Sequence, residues 1–149
     1  MLQDTLIKLF VRDLSKLKTE LKAYSVEKNM WLLEDTINNT SGNLCLHIVG
    51  NLNAFVGAVL GNTGYIRERE LEFSLKNVPR VELVQQLDAT ITMIKDTLAK
   101  ITQEDLQKEY PLIIFKNTPM STEYFLVHLT THLAYHLGQI NYHRRLLDN

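Results

Sequence analysis

Cysteine is nearly absent from this chain of 149 residues: Cys45 is the only one. No internal disulfide can form, and such a chain suits a reducing compartment. Charge of one sign is also missing, since 16 Lys and Arg stand against 17 Asp and Glu for a net charge of −1. Without a basic stripe the chain offers no footprint for nucleic acid or an anionic membrane surface. No apolar run is expected to approach the roughly 18 residues of a membrane span. The opening residues, MLQDTLIKLFVRDLSK, carry acids and bases throughout and lack the apolar core of a signal peptide. A cytoplasmic location is the resulting expectation. There is no internal repeat, low-complexity stretch or flexible linker. Catalytic signatures are missing too: no G-x-S-x-G, no P-loop, no G-x-G-x-x-G, and HLAYH is not His-Glu-x-x-His. A serine hydrolase, a nucleotide enzyme and a zincin protease therefore find no support.

What remains is ordinary globular composition, 45% hydrophobic and 22% charged, arranged with helical periodicity. Leu6, Leu9, Phe10, Leu14, Leu17 and Leu21 recur at spacings of three and four, with Lys8, Arg12, Lys16, Lys18 and Lys22 between them. That pattern predicts an amphipathic helix from about Leu2 to Tyr24. A second helix is expected from about Gly42 to Leu60, capped by Asn39, Thr40 or Ser41 and stopped at GNTG. It is apolar nearly all round and carries Gly50, Ala54, Gly57 and Ala58, so it is placed centrally. A third runs from Pro79 to about Ile101. The fourth is capped by Ser121, has Glu123 in its first turn, and ends near Leu147 with Arg144 and Arg145 at the negative end of its dipole. The two later connections are long and permit crossovers. PLIIF in the second of them could be a short strand, but one strand builds no sheet. The fold class expected is all-α, a four-helix bundle with residues 1–149 forming one domain.

Histidine is scarce as well, with five residues, yet four fall within HLTTHLAYHLGQINYH and the fifth, His47, stands alone in CLHIVGNLNAF. Residues four apart on a helix differ by about 40° and about 6 Å, so His132 and His136 can reach one point. His128 and His136 are about 80° and about 12 Å apart. One of His128, His132 and His136 must therefore be left out of any shared ion, and spacing does not say which. His143 lies about 16 Å along the axis from His132. A two-histidine site needs a third ligand, and His47 is on the helix best able to pack against its neighbours. Cys45 is about 200° round the helix from His47 and cannot share its site. Asn51, one turn after His47, and Gln139, three residues after His136, could orient ligands or substrate. Arg67, in YIRERELEF, could receive a carboxylate or a thiol cofactor. Gly138, within a helix at a cost of about 1 kcal/mol, would give room for a ligand or a helix contact.

The segment HLTTHLAYHLGQINYHRRLL resembles the C-terminal helix signature of the DinB-like superfamily, where a histidine pair four apart precedes a small residue and a glutamine. NTSGNLCLHIVGNLNAFVGAVLGNTGYIRERELEF is similar to the second-helix region of the same superfamily, including the isolated histidine and the Tyr-x-Arg-x-Arg-Glu segment. The resemblance runs from about Asn38 onward. It implies a four-helix bundle holding a divalent ion, often nickel or zinc, on three histidines. Carried over residue by residue, these are His47, His132 and His136, and His128 has no place in the set. Members include bacillithiol S-transferases and mycothiol-dependent maleylpyruvate isomerases. The resemblance thus implies a metal-dependent enzyme taking a small-molecule substrate and a low-molecular-weight thiol. A hydrolase using activated water and a non-catalytic metal-binding stress protein are the alternatives. A homodimer would be in keeping with such bundles. No nucleic-acid partner and no membrane are expected.

Overall fold

The computed structural model describes residues 1–149 and is all-helical, with no strand. Its elements are α1 (Leu2–Ala23), a 3-10 turn (Glu27–Trp31), α2 (Ser41–Leu52), a π-helical stretch (Asn53–Ala58), α3 (Val59–Gly61), α4 (Arg69–Ser74), α5 (Arg80–Leu98), α6 (Gln103–Gln107) and α7 (Thr122–Leu147). The segment from α2 through α3 is one continuous helix, so four long helices form a bundle. α1 and α2 each pack on both α5 and α7. The two pairs of diagonal neighbours are therefore α1 with α2 and α5 with α7.

Contacts at the helix ends fix their directions. Gln3 Nε2 donates to the Leu98 carbonyl at 2.5 Å, so α1 runs against α5. Arg144 Nε meets Glu20 Oε2 at 2.7 Å near the C-terminal ends of α7 and α1, so these two run together. The Tyr24 hydroxyl, just past α1, is 2.7 Å from Ser41 Oγ at the start of α2 and 2.6 Å from His143 Nδ1 near the end of α7. α2 thus runs against both. Gly57 faces Met93 and Gly61 faces Thr97, so α2 and α5 are parallel. Adjacent parallel helices require a crossover, and the segment after Gly61 supplies it, laying α4 back against α2.

The sequence pattern and the helix ends agree closely. Thr40 caps α2, its Oγ1 accepting from Asn43 N at 3.0 Å, and Ser121 caps α7 by accepting from Tyr124 N at 3.1 Å. Pro79 sits at the cap position just before α5, one step outside the first turn. α5 ends at Leu98, and the apolar pattern that ran on to Ile101 continues as turn. The helix stop at GNTG is made by Asn62, at φ 50°, while Gly61 is still helical and is a glycine because any Cβ there would overlap Thr97. PLIIF forms no strand. The loop containing it is closed instead by Tyr110 N to Met120 O and Thr122 N to Lys108 O, both at 2.8 Å.

One expectation fails. The helix Ser41–Gly61 spans 21 residues and is long and apolar enough to cross a membrane. It carries no charged side chain at all. Every residue from Ser41 to Leu52 is buried. An all-round apolar helix enclosed by neighbours is how a bundle core reads in sequence. Leu44, Ile48, Leu52 and Val56 of this helix join Leu6, Phe10, Leu14, Leu17 and Leu21 of α1 and Leu126, Leu129, Leu133 and Ile140 of α7 in one cluster.

Candidate metal centre

α2 and α7 run antiparallel and in contact, which brings His47 opposite His132 and His136. One ring nitrogen from each lies within 4.8 Å of the others. Nε2 of His132 is 3.3 Å from Nε2 of His47 and 3.1 Å from Nε2 of His136. Nitrogens bound about 2.0–2.1 Å from one ion, at angles between octahedral and tetrahedral, would stand about 2.8–3.4 Å apart. Both spacings fall in that range. The rings of His132 and His136 stand at 90° to one another, as do those of His47 and His136.

The proton positions follow from what lies behind each ring. Nδ1 of His47 is 3.0 Å from Glu72 Oε1, a carboxylate oxygen held in turn by Arg67. The carboxylate accepts, so Nδ1 carries the proton and the lone pair of Nε2 faces the cluster. Nδ1 of His136 is 2.7 Å from Gln139 Oε1, and the same reasoning turns its Nε2 lone pair inward. His132 has a single Nε2 proton at most, so it can satisfy only one of its two neighbours. Burial, and then the neighbouring His136 and His47, push the His132 pKa down to about 4. Burial also lowers His47, opposed by its hydrogen bond to Glu72. Neutral imidazoles with convergent lone pairs are the donor set that zinc or nickel takes.

The remaining candidates separate cleanly. Asn51 is buried on α2 one turn beyond His47, and its Oδ1 has no hydrogen-bond partner. Gln139 is behind His136 and touches no other part of the cluster through its hydrogen bonds. Arg67 is paired along one edge of its guanidinium: its Nε donates to Glu72 Oε2 at 2.8 Å and a terminal nitrogen to Oε1 at 2.9 Å. Arg69 lies over the Phe73 ring at 5.2 Å. His128 packs against Phe115 and Phe125, with centroids at 4.9 and 5.9 Å. His143 belongs to the α1–α2 junction, between the Tyr24 hydroxyl and the Leu32 carbonyl. Cys45 is fully buried, and desolvation pushes its thiol up to about 12, out of the nucleophilic range. A Cβ on Gly138 would meet nothing within 4 Å, so no close helix contact explains that glycine.

Sequence reasoning missed Glu72. It is 6% exposed, at the edge of a run of alternating charges that reads as a solvated loop. Only the packing of α4 on α2 singles it out. Gly50 makes that packing possible, since a Cβ there would collide with the Glu72 carboxylate. Phe73, beside Glu72, packs on the His47 ring at 5.0 Å, and Tyr135 stands 5.5 Å from His136.

Fold and site together define a helical bundle with a three-histidine group able to hold a metal ion between two antiparallel helices. The chain belongs to the family described as Protein of unknown function (DUF1572), whose model matches residues 4–149. No curated protein matches it.

Proposed function

We propose that this chain is a DinB-like, divalent-metal-dependent enzyme in which His47, His132 and His136 hold the ion. The observation that carries the reading is the convergence of three ring nitrogens within 4.8 Å, two pairs of them at 3.1 and 3.3 Å. Zinc or nickel suits three imidazoles, and three protein ligands are the number found in catalytic sites, where a position stays free for substrate. When bound, such an ion supplies Lewis acidity that lowers the pKa of a water towards about 7 and deprotonates a thiol outright.

The chain's own residues do the remaining work. Glu72 and Gln139 fix the His47 and His136 rings from behind. Phe73 and Tyr135 give the surroundings of the cluster an apolar, aromatic character. Thiol S-transfer is the first reading of the reaction, supported by the resemblance of the histidine helices to those of thiol-dependent DinB-like enzymes. Hydrolysis is the second reading. It needs only that the same ion lower the pKa of a bound water.

The test is a paired assay on zinc- and nickel-loaded protein. One arm follows consumption of low-molecular-weight thiols by an electrophilic acceptor, and the other follows ester hydrolysis. Turnover present in the wild type and abolished in His136→Ala supports an enzyme and selects the reaction. Loaded protein with neither activity contradicts the enzymatic reading.

A further inference from the structure

We infer that Glu72 is the positioning residue of this centre, acting on the ion only through His47, and that Arg67 and Gly50 exist in their places to hold it there. The inference rests on the metal reading above and extends it to residues outside the ligand set.

Three observations converge. Glu72 Oε1 is 3.0 Å from His47 Nδ1 with both side chains under 10% exposed. Arg67 grips the same carboxylate through both oxygens, at 2.8 and 2.9 Å. Gly50, three residues after His47 on α2, has no Cβ because the carboxylate passes over that spot. A buried carboxylate is costly unless paired and hydrogen-bonded, so the arrangement is built rather than incidental. Its effect on His47 is chemical. With Nδ1–H committed to Glu72, the only lone pair on the ring is at Nε2, the atom that faces His132. The opposite tautomer would point an N–H into the cluster and abolish the ligand. Carboxylates behind metal-ligating imidazoles set tautomer, orientation and basicity in this way. Arg67 adds a further constraint: its positive charge cancels that of Glu72, so three neutral imidazoles face the ion without a net anion behind them.

The donor geometry separates two substitutions at Glu72. Oε1 accepts from both His47 Nδ1 and a terminal nitrogen of Arg67, while Oε2 accepts from Arg67 Nε. In Glu72→Gln the amide oxygen, in the place of Oε1, still accepts from both donors, and His47 keeps its Nδ1–H. Glu72→Leu removes the acceptor and leaves Nδ1 facing the Arg67 donor 3.4 Å away, so His47 is driven to the Nε2–H tautomer. The glutamine variant is therefore expected to bind metal more tightly than the leucine variant.

The experiment has two readouts on untagged, full-length protein. ¹⁵N-resolved NMR of the metal-free chain reports the His47 tautomer. Chelator competition with cobalt(II), together with its visible spectrum, reports affinity and coordination. The expected result is Nδ1–H in the wild type and in Glu72→Gln, and Nε2–H in Glu72→Leu. Affinity should fall about 10–100-fold in Glu72→Leu, with a changed cobalt spectrum, and less in Glu72→Gln. An Nε2–H tautomer in the wild type overturns the inference whether or not metal binds. So does cobalt affinity unchanged in Glu72→Leu, or lower still in Glu72→Gln. A wild type with the Nδ1–H tautomer that takes up no cobalt overturns the metal reading, and with it the role of Glu72 at a centre. Helical circular dichroism identifies a variant that has unfolded. In that case Arg67→Met alone, which leaves the carboxylate in place, must keep the Nδ1–H tautomer, and loss of it overturns the inference.

Discussion

Replacing Gly50 and Gly138 by alanine, one at a time, probes two helical glycines whose surroundings differ in kind. In both cases alanine gains about 1 kcal/mol of intrinsic helix propensity. At Gly138 the added Cβ meets nothing within 4 Å, so the gain stands alone. For a chain of this length the melting temperature should rise about 2–4 °C. At Gly50 the Cβ falls on the Glu72 carboxylate, which has to withdraw from His47 Nδ1, from Arg67, or from both. Each lost hydrogen bond to a charged group costs about 1.5–3 kcal/mol. One or two such losses, less the propensity gain, leave Gly50→Ala about 0.5–5 kcal/mol less stable and its melting temperature about 1–20 °C lower. Thermal unfolding by circular dichroism of metal-free protein, with urea titration as a second measure, gives both signs. Stabilisation by Gly50→Ala would mean that Glu72 is not seated over α2. Destabilisation by Gly138→Ala would mean that the open space beside α7 is filled in solution.

Other outcomes follow from buried polar groups. Tyr24→Phe leaves His143 Nδ1 and Ser41 Oγ without the hydroxyl they share, and two unsatisfied buried groups should cost about 2–6 kcal/mol by urea denaturation. A loss under about 0.5 kcal/mol would show that the junction is hydrated. Burial lowers the pKa of His132 to about 4 and lowers those of His47 and His143 below their ordinary 6.5, so the folded chain binds fewer protons than the unfolded one in acid. Stability of metal-free protein is then complete above about pH 6.5 and lost as the pH falls towards 4. A melting temperature that is flat or rises between pH 7 and 5 would contradict this. His128→Ala should leave metal content unchanged, since His128 packs on Phe115 and Phe125 and, although its ring stacks 6.3 Å from His132, it is outside the group of converging nitrogens. A loss of metal in that variant would show that the wrong three histidines were grouped.

The sequence was most informative where a property repeats along one element. The 3.6-residue period located all four long helices, and local capping chemistry at Ser121 and Thr40 marked two of their starts. The four-residue spacing of His132 and His136 fixed their common face, because helix geometry alone decides it. The choice against His128 did not come from spacing; it came from the resemblance. Features requiring contact between distant segments stayed hidden. Glu72 sits among charges that look solvated, and its burial depends on α4 folding back over α2, 25 residues from His47. The π-helical stretch Asn53–Ala58 breaks an otherwise regular pattern without any Pro or Gly pair to announce it. The apolar length of Ser41–Gly61 was underread because Asn43, His47, Asn51 and Asn53 interrupt it; in the fold the two central ones, His47 and Asn51, are buried within the bundle.

The most direct test of the three-histidine centre is elemental analysis of untagged protein after zinc or nickel reconstitution and removal of loose metal. His47→Ala and His132→Ala variants are measured beside it. The account predicts close to one ion per chain in the wild type and loss of it in both variants, one on α2 and one on α7. Wild-type protein that holds no metal, or variants that keep it, would contradict the centre and leave the converging nitrogens as part of the packing between two helices.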